Sequence, residues 1–549
     1  YYPYGALLSQ VLGLTTVDSE GQSGLESRYE DVLRGTEGSY LRQVDARNRQ
    51  LDGTEGWYIP SQQGCGLVLT IDAEIQEMVE KAMRECIEVN QAQSVICLVS
   101  DVKTGAILAM CMNPCYDPND PPRNDVETLT ELMRLTAISD VYEPGSTFKI
   151  LTAASALDSG VTTPQDSFYC SAKITVDGDT IRCWGRPHGA ETMADGLKNS
   201  CNPVFVELAL RMGTDTFYRY LTAFGLGKKT GIDLPGESPG ILITSRNVKR
   251  VDLARIGFGQ SVALTPIQMM MAANSVINGG KLMRPYIVSE IQTPDGETLE
   301  RFHPTVMAAP IRPETSDTMR LLLERVVSEG GGKNAAIAGY RIGGKTGTAQ
   351  VYKNGRVVRD THIGSFYGFA PVNDPQVSIL VIVKEADVPI DYGGTTAAPF
   401  ARQIMQEMLP YLGIEPENDE KDEEIEVPAL KGLTIGDAKR KLSQVGLESV
   451  TDGANTVVLD QLPPAGAKLV KGGHVMLYTA GSEELTPEEL VCVPDLTGLG
   501  DVDCARLVRQ RGLMMSMTGQ GLCIEQSPAA GEYVQPGTTI FLLMAGDDE

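Results

Sequence analysis

The sequence predicts a multidomain α/β protein. Three observations carry that reading. From about Leu67 to Leu412, strand-type and helix-type patterns alternate along the chain. At Glu415–Glu426 the chain reads EPENDEKDEEIE, an almost purely acidic stretch that cannot bury a core and reads as a solvated linker. After it, one set of residues occurs twice, about 65 residues apart, as tandem modules do. The chain has 549 residues, of which 42% are apolar and 22% charged, an ordinary globular composition. That length suits three to four domains, each able to bury a core.

Individual elements follow in order. Residues 1–60 are polar and Gly-rich with short helical patches, which predicts a separate, smaller unit. Asp72 to Val89 predicts a helix with Asp72 as its N-cap. Ser94 to Val99 and Ala106 to Met110 predict a hairpin around Lys103-Thr104-Gly105. A helix-like run, Ser146 to Leu157, follows Pro144-Gly145. Asp177-Gly178-Asp179 predicts a hairpin turn, Val377 to Val383 a buried strand, and Phe400 to Leu412 a closing helix.

In the repeat, Val427-Pro428-Ala429-Leu430-Lys431-Gly432-Leu433 returns as Val493-Pro494-Asp495-Leu496-Thr497-Gly498-Leu499. Gly446-Leu447 returns as Gly512-Leu513, and Ala480-Gly481 as Ala545-Gly546. Gln461-Leu462-Pro463-Pro464-Ala465-Gly466 returns as Gln526-Ser527-Pro528-Ala529-Ala530-Gly531. Each copy adds a helical segment (Thr434 to Val445; Val502 to Arg511) and β-type runs (His474 to Thr479; Thr538 to Leu543). With V-P-x-L-x-G and Q-x-P-x-x-G in both copies, the modules resemble PASTA domains. That family sits outside the cell and contacts peptidoglycan or neighbouring domains.

Charge and composition exclude several function classes. The net charge of −25 argues against a nucleic-acid partner, since phosphates are repelled. No apolar run approaches the roughly 18–20 residues of a membrane span. The least charged stretch, Ile256 to Gly280, is broken by Gln260, Pro266, Gln268 and Asn274. The first residue is Tyr1, which reads as the trace of a removed N-terminal signal or anchor. Eleven cysteines show no CxxC, and His188, His303, His362 and His474 are scattered, so no metal or cofactor site and no Ser–His–Asp triad is expected.

Chemistry concentrates in three short motifs. Ser146-Thr147-Phe148-Lys149 fits S-x-x-K, placing Ser146 in a first helical turn and Lys149 on the same face. A lysine buried there loses solvation, drops its pKa and can take the serine proton. Ser200-Cys201-Asn202 fits S-x-N, and Lys345-Thr346-Gly347-Thr348 fits K-T-G-T. A second serine can relay a proton, an amide can hold a substrate amide, and a lysine with two hydroxyls on an edge strand can bind a carboxylate. In that chain order the trio is the pattern of penicillin-recognising serine acyltransferases. Gly339 to Thr346 also fits the P-loop GxxxxGK[ST]. A P-loop needs a helix directly after its lysine; here a β-run, an Asn354-Gly355 turn and a second β-run follow, so nucleotide binding is rejected.

On these residues the chain resembles a class B penicillin-binding protein, a peptidoglycan D,D-transpeptidase of the sporulation or division type with C-terminal PASTA modules. Tyr2-Pro3-Tyr4-Gly5, Gly24-Leu25-Glu26 and Tyr29 resemble the end of the family's pedestal (dimerisation) domain. Leu69-Thr70-Ile71-Asp72 with Ile75-Gln76 resembles the entry to its transpeptidase domain. Gly257-Phe258-Gly259-Gln260, Thr265-Pro266-Ile267-Gln268 and Asn278-Gly279-Gly280 are a further shared stretch, read as a turn into a core helix. The resemblance implies an antiparallel sheet sandwiched by helices. It divides the chain into pedestal (1–60), transpeptidase domain (61–412), linker (413–426) and two PASTA modules (427–481 and 492–546).

The resemblance also implies roles. Ser146 attacks the peptide bond before a stem peptide's terminal D-Ala, Lys149 is its base, Ser200 passes protons and Asn202 holds the substrate backbone. Lys345, Thr346, Gly347 and Thr348 form the carboxylate-binding strand, with the Ser146 and Thr348 N–H groups as oxyanion hole. β-Lactams acylate Ser146. Implied partners are stem peptides, a lipid-linked precursor and a SEDS-type glycosyltransferase. The implied location is the outer face of a bacterial membrane, on a single-pass anchor that this sequence does not contain. Two other classes stay open: a β-lactamase-type hydrolase, for which no segment clearly supplies a deacylating carboxylate, and a non-catalytic wall-binding protein working through its PASTA pair. Two readings of Cys170, Cys183 and Cys201 also stay open. They are inert buried thiols, or Cys183 and Cys201 form a redox switch whose disulfide pulls the S-x-N loop out of place, as the resemblance to sporulation-type members suggests.

Overall fold

The computed structural model describes residues 1–41, 57–185, 187–353, 356–416, 424–452, 456–470, 473–479, 491–518, 521–531, 533–534 and 538–545. The chain divides into two compact units, Tyr1–Ile425 with Lys468–His474, and Glu426–Ala467 with Val475–Glu549.

In the first unit the elements that position the site are, in chain order, α1 (Ala73–Asn90), β1 (Ser94–Asp101), β2 (Ile107–Asn113), α2 (Lys149–Asp158), β3 (Lys173–Val176), β4 (Asp179–Arg182), α3 (Met193–Lys198), α4 (Asn202–Ala223), α5 (Pro266–Ile277), α6 (Pro313–Ser328), β5 (Gly343–Lys353), β6 (Arg356–Ala370), β7 (Val377–Lys384) and α7 (Ala398–Tyr411). Five strands form one antiparallel sheet in the order β5–β6–β7–β1–β2. Side chains alternate between its two faces. Ile96, Leu98, Tyr367, Leu380 and Ile382 share one core with α2, α4 and α5. Cys97, Val99, Phe366, Val381 and Val383 share the other with α1 and α7. Both faces are covered, so the strands read as near-continuous apolar runs. This is the predicted sheet sandwiched by helices.

Local chemistry sets the ends of the elements. The Asp72 carboxylate accepts from the N–H groups of Glu74 and Ile75, which starts α1 as expected. Ile75, Val79, Met83 and Cys86 then face the sheet at helical spacing. Thr265 and Gln268 close a capping box around Pro266 at the head of α5. Asp177 and Gly178 both have positive φ, as a two-residue turn between β3 and β4 requires. The Asn354-Gly355 turn, residues 417–423 of the linker and the Ala480-Gly481 and Gly546 positions lie outside the described residues.

The described part of the N-terminal segment packs on the larger domain: Leu8, Val11 and Leu25 join its core. The Gln10 amide donates to the carbonyls of Met112 and Pro114, and Glu80 accepts from the Leu8 N–H. The helix expected from Ser146 opens as a 3₁₀ turn, Gly145–Phe148, and becomes α-helical only at Lys149.

In the second unit both repeats are built alike. Helices Ile435–Gln444 and Asp501–Gln510 each pack on a three-stranded sheet. The two motif halves are tied together by one glutamine per copy. Gln461 accepts from the Leu430 N–H at 2.6 Å and donates to the Pro428 carbonyl at 3.0 Å. Gln526 does the same with Leu496 at 2.7 Å and Pro494 at 3.0 Å. Gly466 and Gly531 adopt positive φ and donate to the carbonyls of Val427 and Val493. The repeated residues are therefore hydrogen-bonding partners of one another. Gln461→Leu leaves a buried N–H and carbonyl unpaired and should destabilise the first module by about 1–3 kcal/mol. Hydrogen exchange at Leu430 should accelerate while penicillin labelling of the chain stays unchanged.

Candidate active site

The nucleophile turn is held by close backbone contacts. Gly145 has φ +54°, and its N–H donates to the Gly259 carbonyl at 3.0 Å. A Cβ at Gly145 would sit 2.6 Å from the Thr348 carbonyl oxygen, and one at Gly259 would sit 2.0 Å from the Gly145 oxygen. Only glycine fits either place. The turn is thereby pressed against β5. The Thr147 hydroxyl donates back to the Pro144 carbonyl at 2.7 Å and closes it. Ser146 is half-exposed, and its hydroxyl makes no hydrogen bond among the described residues.

Lys149 begins α2 and is completely buried. Its Nζ donates to the Ser200 carbonyl at 2.7 Å, the Asn202 Oδ1 at 2.7 Å and the Ser200 Oγ at 3.3 Å. The Phe205 ring lies 5.3 Å from it. Ser200 ends the turn after α3 with φ +55°, a left-handed conformation that costs a non-glycine residue about 1 kcal/mol and marks functional sites. Asn202 opens α4, and its Nδ2 donates to the Arg182 carbonyl at 3.0 Å, at the end of β4.

Strand β5 carries the third motif, with a period of two. Lys345 and Gly347 are buried, while Thr346 and Thr348 are half-exposed together on the other face. The Lys345 Nζ donates to Ser200 Oγ at 3.0 Å, so that hydroxyl receives both lysines. A Cβ at Gly347 would meet the Ser365 Oγ at 2.4 Å and the Thr147 Cγ2 at 2.9 Å. The glycine of K-T-G thus lets the strand lie against the nucleophile turn. The Thr348 Oγ1 accepts from the Gly393 N–H at 3.4 Å. Lys345 lies inside a strand, 11 residues long, that starts at Gly343, so no helix follows it and no phosphate cradle forms.

Two buried ammonium groups at one hydroxyl cannot both stay charged. Burial pulls Lys149 down to about 7, against the opposing pull of Cys183, Cys201 and Glu191. Burial, followed by the nearby Lys149 charge, lowers Lys345 strongly as well. The pair titrates as a unit. The motifs therefore converge as expected: Lys149, Ser200, Asn202 and Lys345 are in direct contact, and the Ser146 turn packs on the strand holding Thr346, Gly347 and Thr348. The arrangement brings a half-exposed hydroxyl, two buried lysines that cannot both be charged and the hydroxyls of an edge strand to one place, parts that suit acyl transfer.

The expectation of dispersed cysteines and histidines is corrected at one place. The Sγ atoms of Cys170, Cys183 and Cys201 and a ring nitrogen of His188 lie within 4.8 Å of one another. Each sits on a different segment, and no short motif links them. Glu191 and Trp184 likewise lie outside the three motifs. Trp184 is exposed, yet its Nε1 donates to the Asn199 carbonyl, next to Ser200, at 2.9 Å. That contact spans 15 positions of chain and leaves no local signal.

The profile of the penicillin binding protein transpeptidase domain matches residues 95–406. The chain belongs to the penicillin-binding protein transpeptidase family. The profile of the penicillin-binding protein dimerisation domain matches residues 1–69, and that of the PASTA domain matches 425–481 and 491–546. Stage V sporulation protein D of Bacillus subtilis is 38% identical over 495 residues, covering 88% of this chain and 76% of that protein. The peptidoglycan D,D-transpeptidase FtsI of Escherichia coli K12 is 30% identical, over 76% of this chain and 68% of that one. Penicillin binding protein 3 of Mycobacterium tuberculosis, solved with aztreonam, superposes with a TM-score of 0.68 at 28% identity, covering 76% of this chain and 91% of that one. The class of activity is that of a peptidoglycan D,D-transpeptidase, a serine enzyme that binds β-lactams.

In a member of this family whose base is a lysine at about 7, the competent neutral amine accumulates as pH rises. Acylation by penicillin should therefore climb through pH 7 and level off above it. Stopped-flow rates from acid to mildly alkaline pH check this; a flat profile would remove Lys149 as the base.

Proposed function

We propose that Ser146 is the nucleophile of the transpeptidase reaction and Lys149 its base. The convergence of Lys149 and Lys345 on the Ser200 hydroxyl supports this most directly. A neutral Lys149 needs only two of its three donor contacts. Giving up the longest, to Ser200 Oγ, frees a lone pair for the Ser146 proton. The alkoxide oxygen attacks the carbonyl before the terminal D-Ala, and the N–H groups of Ser146 and Thr348 stabilise the oxyanion. Ser200 returns the proton to the leaving D-Ala amine. Lys345, Thr346 and Thr348 bind the terminal carboxylate, and Asn202 orients the stem-peptide backbone with the Nδ2 hydrogen that Arg182 does not use. An amine from a second stem then resolves the acyl-enzyme as a crosslink.

A bound carboxylate favours the charged form of Lys345, and that charge in turn favours a neutral Lys149. Substrate arrival thus places the proton where the reaction needs it. The division into pedestal (1–60), transpeptidase domain (61–412), linker (413–426) and PASTA modules (427–481, 492–546) is part of the same reading. So are the lipid-linked precursor, a SEDS-type glycosyltransferase partner and a single-pass anchor on the outer membrane face. Family membership is what supports those three; among the described residues no helix is long and apolar enough to cross a membrane. A second reading concerns regulation: Cys183 and Cys201 lie close enough to be joined by a small movement, and a bond would strain the S-x-N turn.

Ser146→Ala should abolish covalent labelling by a fluorescent penicillin, with the fold intact by circular dichroism. Peptide mass spectrometry of the labelled wild type should place the adduct on Ser146; an adduct on another serine would overturn the assignment. Lys149→Arg keeps the charge but cannot become neutral, so acylation should fall by roughly three orders of magnitude or more.

A further inference from the structure

We propose that Glu143 is a positioning residue for the nucleophile: one oxygen of its carboxyl group holds residues 257–264 against the Ser146 turn and so sets where the serine hydroxyl stands. The proposal rests on the reading of Ser146 as nucleophile and deepens it. Three contacts join the two segments. The backbones of Tyr142 and Leu264 exchange hydrogen bonds at 3.0 Å in each direction. The Glu143 Oε1 accepts from the Ser261 N–H at 2.8 Å. The Gly145 N–H donates to the Gly259 carbonyl at 3.0 Å. These contacts fall at residues 142, 143 and 145, and the next residue is Ser146. Of the three, the middle one alone uses a side chain, so it is the one that the choice of residue controls.

The segment it holds is strained. Ser261 has φ +58°. That left-handed conformation is unfavourable for a residue with a Cβ and persists only where the surroundings enforce it. Two residues earlier, Gly259 lies so close to the nucleophile turn that a Cβ there would sit 2.0 Å from the Gly145 oxygen and 2.8 Å from the Phe148 Cβ. Release of Ser261 to an ordinary φ would swing the chain at Gly259 and move its contact with Gly145. Glu143 receives the one Ser261 group, the N–H, whose direction depends on that φ.

The other oxygen shows what the carboxyl group does not do. Glu143 Oε2 is buried and has no hydrogen-bond partner among the described residues. It is shut off from the cleft, so neither oxygen is placed to carry a proton for the substrate. Burial raises the pKa of the group, while the Ser261 N–H and the Arg255 guanidinium pull it down. Arg255 itself is paired with Asp179, at the start of β4, at 3.1 Å. Glu143 thus works as a hydrogen-bond acceptor of fixed reach. Shortening it to aspartate withdraws the oxygen by up to about 1.5 Å, the length of one C–C bond, which is beyond hydrogen-bonding distance of Ser261.

The test uses the full chain and stopped-flow acylation by penicillin, where saturation separates the acylation rate constant from the non-covalent dissociation constant. A first-order constant reports folded molecules alone, so a variant that folds in part loses amplitude and keeps its rate. Glu143→Gln keeps the accepting oxygen and removes the charge; its rate constant should stay within about twofold of wild type. Glu143→Asp keeps the charge and loses the reach. Its rate constant should fall roughly tenfold or more, with the dissociation constant changed by less than about twofold. Ser261→Gly removes the left-handed penalty, so adding it to Glu143→Asp should recover roughly threefold or more of the lost rate. In each variant the rise through pH 7 should keep its midpoint while the plateau alone changes. Wild-type acylation by Glu143→Asp would overturn the proposal. So would a Glu143→Gln variant as slow as Glu143→Asp, because the charge would then be what matters. Peptide mass spectrometry of the same samples reports separately on the underlying reading: an adduct away from Ser146 would remove the nucleophile, and this proposal with it, whatever the rates of the variants.

Discussion

Two lysines buried at one serine hydroxyl are the constraint on which the rest of the site depends. Ser200 Oγ has two lone pairs and receives Lys149 at 3.3 Å and Lys345 at 3.0 Å. In water two ammonium groups would tolerate each other; in a site where both are fully buried they cannot. One must release its proton, and the proposed mechanism uses that neutral amine as the base. The cost of burying the pair is met by the surrounding folded domain, whose two cores enclose the sheet on both faces. The depressed values are a consequence of placement, and the placement is fixed where three elements meet: the start of α2, the turn before α4 and the middle of β5.

Glycine makes that meeting possible. Gly145, Gly259 and Gly347 each stand where a Cβ would run into backbone or side-chain atoms closer than 3 Å. They let the nucleophile turn, the turn ahead of α5 and the third-motif strand touch through backbone. A site assembled from touching backbones needs little reorganisation on binding substrate, which is the condition for stabilising a developing oxyanion. In the same way the PASTA modules are held by one glutamine each, bridging the two ends of their motif.

Much of this was legible in the sequence because it is local. Asp72 as a cap, the hairpin at Asp177-Gly178, the buried strand at Val377 and the three motifs each carry their cause within a few residues. The order S-x-x-K, S-x-N, K-T-G and the duplicated module pointed to the family that the comparisons then showed. What the sequence hid is what depends on distant chain. Leu8 and Val11, near the start of the chain, lie in the core of the larger domain. The turn ahead of α2, Gly145–Phe148, is 3₁₀ and is pressed against β5 at Gly145. The Cys170, Cys183, His188 and Cys201 cluster is separated in sequence by spacings that match no short metal motif, and only the fold brings the four donors together.

A crystal structure of the acyl-enzyme formed with a penicillin at alkaline pH tests the central claim most directly. The buried-lysine arrangement predicts an ester at Ser146 Oγ, the penicillin carboxylate on Thr346, Thr348 and Lys345, and Lys149 Nζ still bonded to Asn202. An ester on any other residue, or a carboxylate bound away from β5 with Lys149 and Lys345 no longer sharing Ser200, would contradict it.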